Sequence, residues 1–271
     1  MCENKAHWLY KNVRRRREVA DVIGESTTPM AKSPGEDTAA LAANAAALRQ
    51  RMANAAARSG RAPEDITLIA VSKKVPPARL RAAFALGFHI FGENRVLEAQ
   101  EKQSALEDLA IRWELIGHLQ TNKAARAVRL FARVQSVDSV RVAEALDARA
   151  AEAGRILPVL LEVNLAEEPN KTGALPADVP QVAAALARCD HLRPEGLMTV
   201  APLVAQAEEA RPVFRRLRLL AERLRETAPY GADGGWRQLS MGMSDDFEVA
   251  IEEGATIVRL GRALFGARPL A

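Results

Sequence analysis

Eight short runs of apolar and β-branched residues recur along this chain, near residues 66–72, 88–92, 112–116, 133–137, 157–164, 195–200, 237–241 and 256–260. Between them lie stretches of helical periodicity, near 77–86, 94–107, 121–131, 139–153, 178–187, 206–227 and 244–253. Parallel strands need a crossover, and a helix is the usual one, so this alternation predicts βαβ units. PVLLEVN, at 158–164, has the unbroken apolar character of a strand covered on both faces. DSVRVAE, from Asp138, opens a helix behind a cap-like residue, and Val213, Leu217, Leu220 and Leu224 form one helical stripe. Eight is the number that closes a (β/α)8 barrel. The 205 residues from Ile66 to Leu270 compare with roughly 250 in a typical one. An open doubly wound sheet would want a glycine-rich turn after its first strand; here the first run leads into SKKVPP, which cannot cradle a dinucleotide. The expected fold is a single α/β (β/α)8 TIM-type barrel.

Residues 1–37 show little periodicity and are read as a disordered N-terminal extension, with residues 38–271 as the barrel domain. The run Arg14–Arg17 lacks interleaved aromatics, which favours a solvated tail over a nucleic-acid surface. Residues 1–29 are expected to be dispensable, with Met30 an alternative start. From Asp37 to about Ser59 an alanine-rich helix carries Leu41, Ala45, Leu48, Met52 and Ala55 on one face. The two cysteines, Cys2 and Cys189, make no disulfide framework, and the four histidines lack metal-ligand spacing. No apolar stretch reaches the roughly 18 residues of a membrane span, and there is no signal-peptide core. A cytoplasmic protein is expected, with no metal, membrane or nucleic-acid partner and no obligate oligomer: a monomer.

In a barrel, chemistry collects where strands end. The first strand ends at Ser72-Lys73. Lysine is scarce here, 8 of the 38 basic residues, and only an amine that can deprotonate forms an imine with a carbonyl. Lys74, its neighbour, competes for that role. The seventh and eighth strands end in SMGMS (240–244) and RLGR (259–262). Ser240 and Ser244 offer hydroxyls there, while Gly242 and Gly261 allow backbone N–H groups to approach an anion. Two such loops at these strand ends suggest a phosphate site. An imine lysine and a phosphate anchor are the two handles of pyridoxal 5′-phosphate (PLP), and Arg259 suits its pyridine nitrogen. A cation there would oppose ring protonation and leave the cofactor a poor electron sink. His118, Gln120, Asn122 and Lys123 resemble acid–base groups, but at a helix start they more readily satisfy backbone groups.

The segments ITLIAVSKK, FGENRVLEAQEK, WELIGHLQTNK, VNLAEEPNKTG, GLMTVAP and LSMGMSDDFEVAIEEGATIVRLGRALFG resemble, in order, the pyridoxal phosphate homeostasis protein family (PROSC-like proteins). The resemblance covers about residues 38 to 268. It implies one barrel similar to the N-terminal domain of alanine racemase, binding PLP without established catalysis. By position, Lys73 resembles the imine lysine and Asn94 a neighbour of the cofactor ring. Ser240, Gly242 and Gly261 resemble the phosphate contacts, and Arg259 the pyridine-nitrogen partner. Arg262 stands where many members carry a hydroxyl residue, leaving its backbone N–H as the contact. Arg95 stands where others carry tyrosine.

The reading is thus a non-catalytic PLP-binding protein of vitamin B6 homeostasis, holding PLP as a lysine aldimine and delivering it to PLP-dependent apoenzymes. The alternative is a racemase or decarboxylase of the alanine racemase-like barrel class. Racemases place a tyrosine from a second domain opposite the lysine; with only Tyr10 and Tyr230 and 11 residues after Leu260, this sequence is expected to lack that domain. A Schiff-base aldolase would account for Lys73 but not for Arg259.

Overall fold

The computed structural model describes residues 34–227 and 235–267. Eight parallel strands close into a barrel in sequence order: β1 (Thr67–Val71), β2 (Ile90–Glu93), β3 (Arg112–Leu115), β4 (Arg133–Val137), β5 (Leu157–Glu162), β6 (Leu192–Met198), β7 (Gln238–Ser240) and β8 (Ile257–Leu260). Closure is made by β8 pairing with β1, Thr67 opposite Ile257 and Ile69 opposite Arg259. The expected barrel is the observed fold. Of the extension expected over residues 1–37, residues 1–33 lie outside the described residues, as do Tyr10 and Tyr230.

The first helix, α1 (Pro34–Arg58), begins slightly before the expected Asp37. Its stripe of Leu41, Ala45, Leu48, Met52 and Ala55 is buried as its spacing predicts. Past its end the Arg61 guanidinium donates to Ala255 O at 2.7 Å, and Arg51 and Arg58 pair with Glu248 and Glu252 at 2.8 and 2.6 Å. The remaining helices are α2 (Pro77–Ala85), α3 (Val96–Ala105), α4 (Ala124–Leu130), α5 (Val140–Glu152), α6 (Val179–Leu186), α7 (Arg211–Thr227), α8 (Phe247–Glu252) and α9 (Arg262–Phe265).

Boundaries differ from the sequence reading in places with local causes. β6 begins at Leu192, before the expected 195, because exposed Arg193 and half-buried Glu195 break the apolar run without breaking the alternation. The segment expected as one helix over 206–227 divides into a 3-10 turn, Ala207–Ala210, and α7. Pro212 in the first turn of α7 is tolerated where its missing N–H has no helical acceptor. The cap of α5 is Ser139, whose hydroxyl accepts from Val142 N at 3.4 Å, rather than Asp138.

Most apolar burial lies between the strands and the helical ring. A separate, small cluster of Ile69, Leu160, Met198 and Ile257 is packed together with Ile90. Polar side chains of the strands are buried as well: Glu114, Gln135, Glu162, Ser240 and Arg259. A barrel packed for stability alone fills its interior with branched aliphatic residues. Buried polar groups on the strands mark the candidate site.

Candidate functional site

The turn after β1 is built tightly. Ser72 N donates to Gly92 O at 3.0 Å, and Val75 N donates back to Ser72 O at 2.9 Å, enclosing Lys73 and Lys74 in a four-residue turn. Lys74 takes φ 60, a left-handed conformation that costs a non-glycine residue about 1 kcal/mol. The turn is braced from α3. The buried Lys102 Nζ donates to Ser72 O and Glu93 Oε1, each at 2.6 Å, and to Glu98 Oε1 at 2.7 Å. Ser72 Oγ donates to Glu93 Oε1 at 2.6 Å, and Lys74 N donates to Glu98 Oε1 at 2.5 Å. Burial pushes the Glu93 carboxyl up, opposed by its bonds to Lys102 and Ser72.

Lys73 is half-buried and Lys74 exposed. Both line a pocket of about 300 Å³ with Val71, Gly261, Arg262 and Phe265. The turn after β1 and the loop after β8 therefore share one cavity wall, as their strands are neighbours in the closed barrel.

Arg259 lies deeper, with 4% of its surface exposed. Its Nη1 donates to Ser240 Oγ at 2.7 Å and its Nη2 to Thr199 O at 2.8 Å. Ser240 Oγ in turn donates to Gln135 Oε1 at 2.6 Å, and Gln135 Nε2 donates to Glu114 Oε2 at 2.7 Å. A polar chain thus crosses from β3 and β4 to β7 and β8. Burial lowers the Arg259 pKa to about 10, with Glu162 and Asp246 opposing the fall, so the guanidinium is charged at neutral pH. Glu162 is raised above the ordinary carboxylate value, chiefly by burial; Thr172 Oγ1 donates to its Oε1 at 2.7 Å, while its Oε2 is buried without a hydrogen-bond partner.

The loops after β7 and β8 are joined. Ser244 Oγ accepts from Ala263 N at 3.1 Å, and the Arg262 guanidinium pairs with Asp245 at an exposed rim. Gly242 has φ +92, and a Cβ there would stand 2.6 Å from Ala250 Cβ and 2.9 Å from Phe247 Cα. No other residue fits that position, because both conformation and contact with α8 exclude a side chain. Gly242 O accepts from Arg259 N at 3.1 Å, and Met243 N donates to Asp246 Oδ1 at 2.6 Å.

The residues singled out from the sequence fall into three groups. Ser240, Gly242 and Arg259 are directly hydrogen-bonded to one another through Arg259. Gly261 and Arg262 share the pocket of Lys73, with the Arg262 side chain committed to Asp245. Asn94 lines a neighbouring pocket of about 470 Å³ with Glu98, His118, Gln120 and Lys123. Its backbone is closely approached: a Cβ on Gly117 would lie 2.4 Å from Asn94 O. His118 Nδ1 sits 3.2 Å from Asp138 Oδ2, and Lys171 Nζ donates to Glu168 Oε1 at 2.7 Å. Sequence reasoning missed Gln135, Glu162 and Lys102. The first two are polar residues inside strands, a signal open to reading; Lys102 forms an ordinary i,i+4 pair with Glu98 and reads as a solvated helix residue.

Among the described residues no group of three or more His, Cys, Asp or Glu could hold a metal ion, and no helix is long and apolar enough to cross a membrane.

The family described as "Alanine racemase, N-terminal domain" matches residues 37–269. A "Pyridoxal phosphate homeostasis protein" of Pseudomonas aeruginosa is 41% identical over 228 residues, covering 84% of this chain and 96% of the relative. One of Aquifex aeolicus is 39% identical over 219 residues, covering 81% and 94%. The solved structure of PipY from Synechococcus elongatus with PLP bound superposes with a TM-score of 0.74 at 41% identity, covering 83% of this chain and all of that one.

Proposed function

The chain belongs to the pyridoxal phosphate homeostasis proteins of the alanine racemase N-terminal domain family, and from that premise we propose that it binds PLP at the barrel mouth and buffers it without catalysing amino-acid chemistry. Lys73 condenses with the aldehyde, releasing water, and holds the cofactor as a Schiff base. The loops around Gly242 and Gly261 receive the phosphate, with the Ser244 hydroxyl at the junction between them. Ser240, engaged by Arg259 and Gln135, acts on the ring end by fixing Arg259. Asn94 flanks the ring.

The donor set fits the group. PLP presents an aldehyde, a phosphate dianion and a ring nitrogen; the site presents a half-buried lysine, two joined glycine-bearing loops and a buried arginine. The observation that carries the reading is Arg259. A guanidinium charged at neutral pH, held by Ser240 and Thr199, disfavours a proton on a ring nitrogen placed beside it. An unprotonated ring withdraws electrons weakly, which suits storage better than carbanion chemistry. Release to PLP-dependent apoenzymes in the cytoplasm, by the protein as a monomer, completes the proposal.

The test pairs titration of PLP-free protein with both vitamers and an exchange assay on PLP-loaded protein. PLP is expected to bind much more tightly than pyridoxal, since charge-assisted bonds to phosphate supply a large share of the affinity. Alanine is expected to show no enzymic exchange of its Cα proton in deuterated buffer. Equal affinity for the two vitamers removes the phosphate cup, and rapid exchange replaces storage with catalysis.

A further inference from the structure

We propose that Glu98 and Lys102, one turn apart on α3, are positioning residues that set the direction of Lys73; the inference rests on the reading of Lys73 as the PLP lysine. Both peptide groups flanking Lys73 are held from this helix. Ser72 O, in the peptide before Lys73, accepts from Lys102 Nζ at 2.6 Å. Lys74 N, in the peptide after it, donates to Glu98 Oε1 at 2.5 Å. The φ and ψ of Lys73 are the rotations between those two planar groups. Fixing both planes fixes the direction in which its side chain leaves the backbone.

A buried lysine serving stability alone needs only its carboxylate partners. Lys102 divides three donors among Glu93, Glu98 and the Ser72 carbonyl, which saturates the ammonium. A fully bonded charged amine of this kind is a brace and not a third candidate for the imine. Glu98 links the brace to the far side of the turn, where Lys74 is held at φ 60. Residues other than glycine adopt that backbone conformation uncommonly and at a cost. Without Glu98 the turn relaxes toward negative φ at Lys74, and the two adjacent amines lose their distinct positions, one half-buried and one exposed.

The experiment loads wild-type, Glu98→Ala and Glu98→Gln proteins with PLP, reduces them with borohydride and apportions the pyridoxyl label between Lys73 and Lys74 by peptide mapping. Wild type is expected to carry its label on Lys73. In Glu98→Ala the Lys73:Lys74 ratio is expected to fall roughly tenfold or more, the scale on which small misplacements of a reacting group act. Glu98→Gln retains an acceptor for Lys74 N–H and is expected to stay near wild type. Glu98→Asp, one methylene too short, carries the same expectation as alanine in a milder form should Glu98→Ala fail to fold. A lowered melting temperature with an unchanged ratio reduces the brace to a structural role and overturns the inference. Absence of label from both lysines in wild type removes the PLP reading itself, and the inference with it.

Discussion

Arg259 Nη1 donates to Ser240 Oγ at 2.7 Å, so the hydroxyl that the sequence places in a phosphate-type loop is a ligand of the buried guanidinium. Ser240 Oγ donates its own hydrogen bond to Gln135 Oε1, which leaves an oxygen lone pair to accept from Arg259. The arginine and the hydroxyl form one hydrogen-bonded unit, which the proposed function puts at the ring end of the cofactor.

Ser240→Ala is therefore expected to weaken PLP and pyridoxal by similar factors and to destabilise the fold by about 1–3 kcal/mol, the cost of leaving buried polar partners unmet. Ser244→Ala is expected to narrow the preference for PLP over pyridoxal. Titration of both variants with both vitamers separates the two roles. A selective loss of phosphate preference in Ser240→Ala would return that hydroxyl to the phosphate.

Gly242→Ala combines a left-handed φ with a Cβ forced against Ala250 and Phe247 of α8. Strain and overpacking together are expected to cost about 2–4 kcal/mol. Calorimetry should show the loss of stability and titration a weakened grip on PLP; a variant as stable as wild type would mean that the loop has room the structure denies it.

Stability in acid should depend on Glu253. Burial alone would raise its carboxyl, but hydrogen bonds from Arg215 and Arg211 outweigh that and hold it below its ordinary value. The folded state thus favours the charged form. Its contribution is complete above the ordinary carboxylate pKa and is lost as pH falls through the depressed folded value. Glu253→Gln is expected to destabilise by about 1 kcal/mol at neutral pH, a modest figure because the arginine partners are partly exposed. Urea unfolding at several pH values should show the difference shrinking toward acid. A difference that grows there would contradict the assignment.

Much of this architecture was legible in the chain because barrel strands and their helices leave strong, alternating marks. The stripe Leu41, Ala45, Leu48, Met52 and Ala55 was readable as a buried face, and it is buried. What sequence could not convey was which polar residues turn inward. Ser240 and Ser244 are four positions apart in SMGMS and look equivalent; only the closed barrel, which brings Gln135 of β4 beside Ser240 of β7, distinguishes them. Lys102 is hidden for the same reason. An i,i+4 pair with Glu98 is an ordinary pattern of an exposed helix, whereas Lys102 is buried with its amine bonded to Ser72 O after β1 and to Glu93 of β2.

Lys73, and not its neighbour, is the residue proposed to carry the cofactor. The most direct measurement is the intact mass of wild-type and Lys73→Ala proteins after loading with PLP and borohydride reduction, with melting temperature recorded alongside. One pyridoxyl group is expected on wild type and none on Lys73→Ala, with the fold unchanged. A full-strength adduct surviving in Lys73→Ala, on Lys74 or any other lysine, would contradict it.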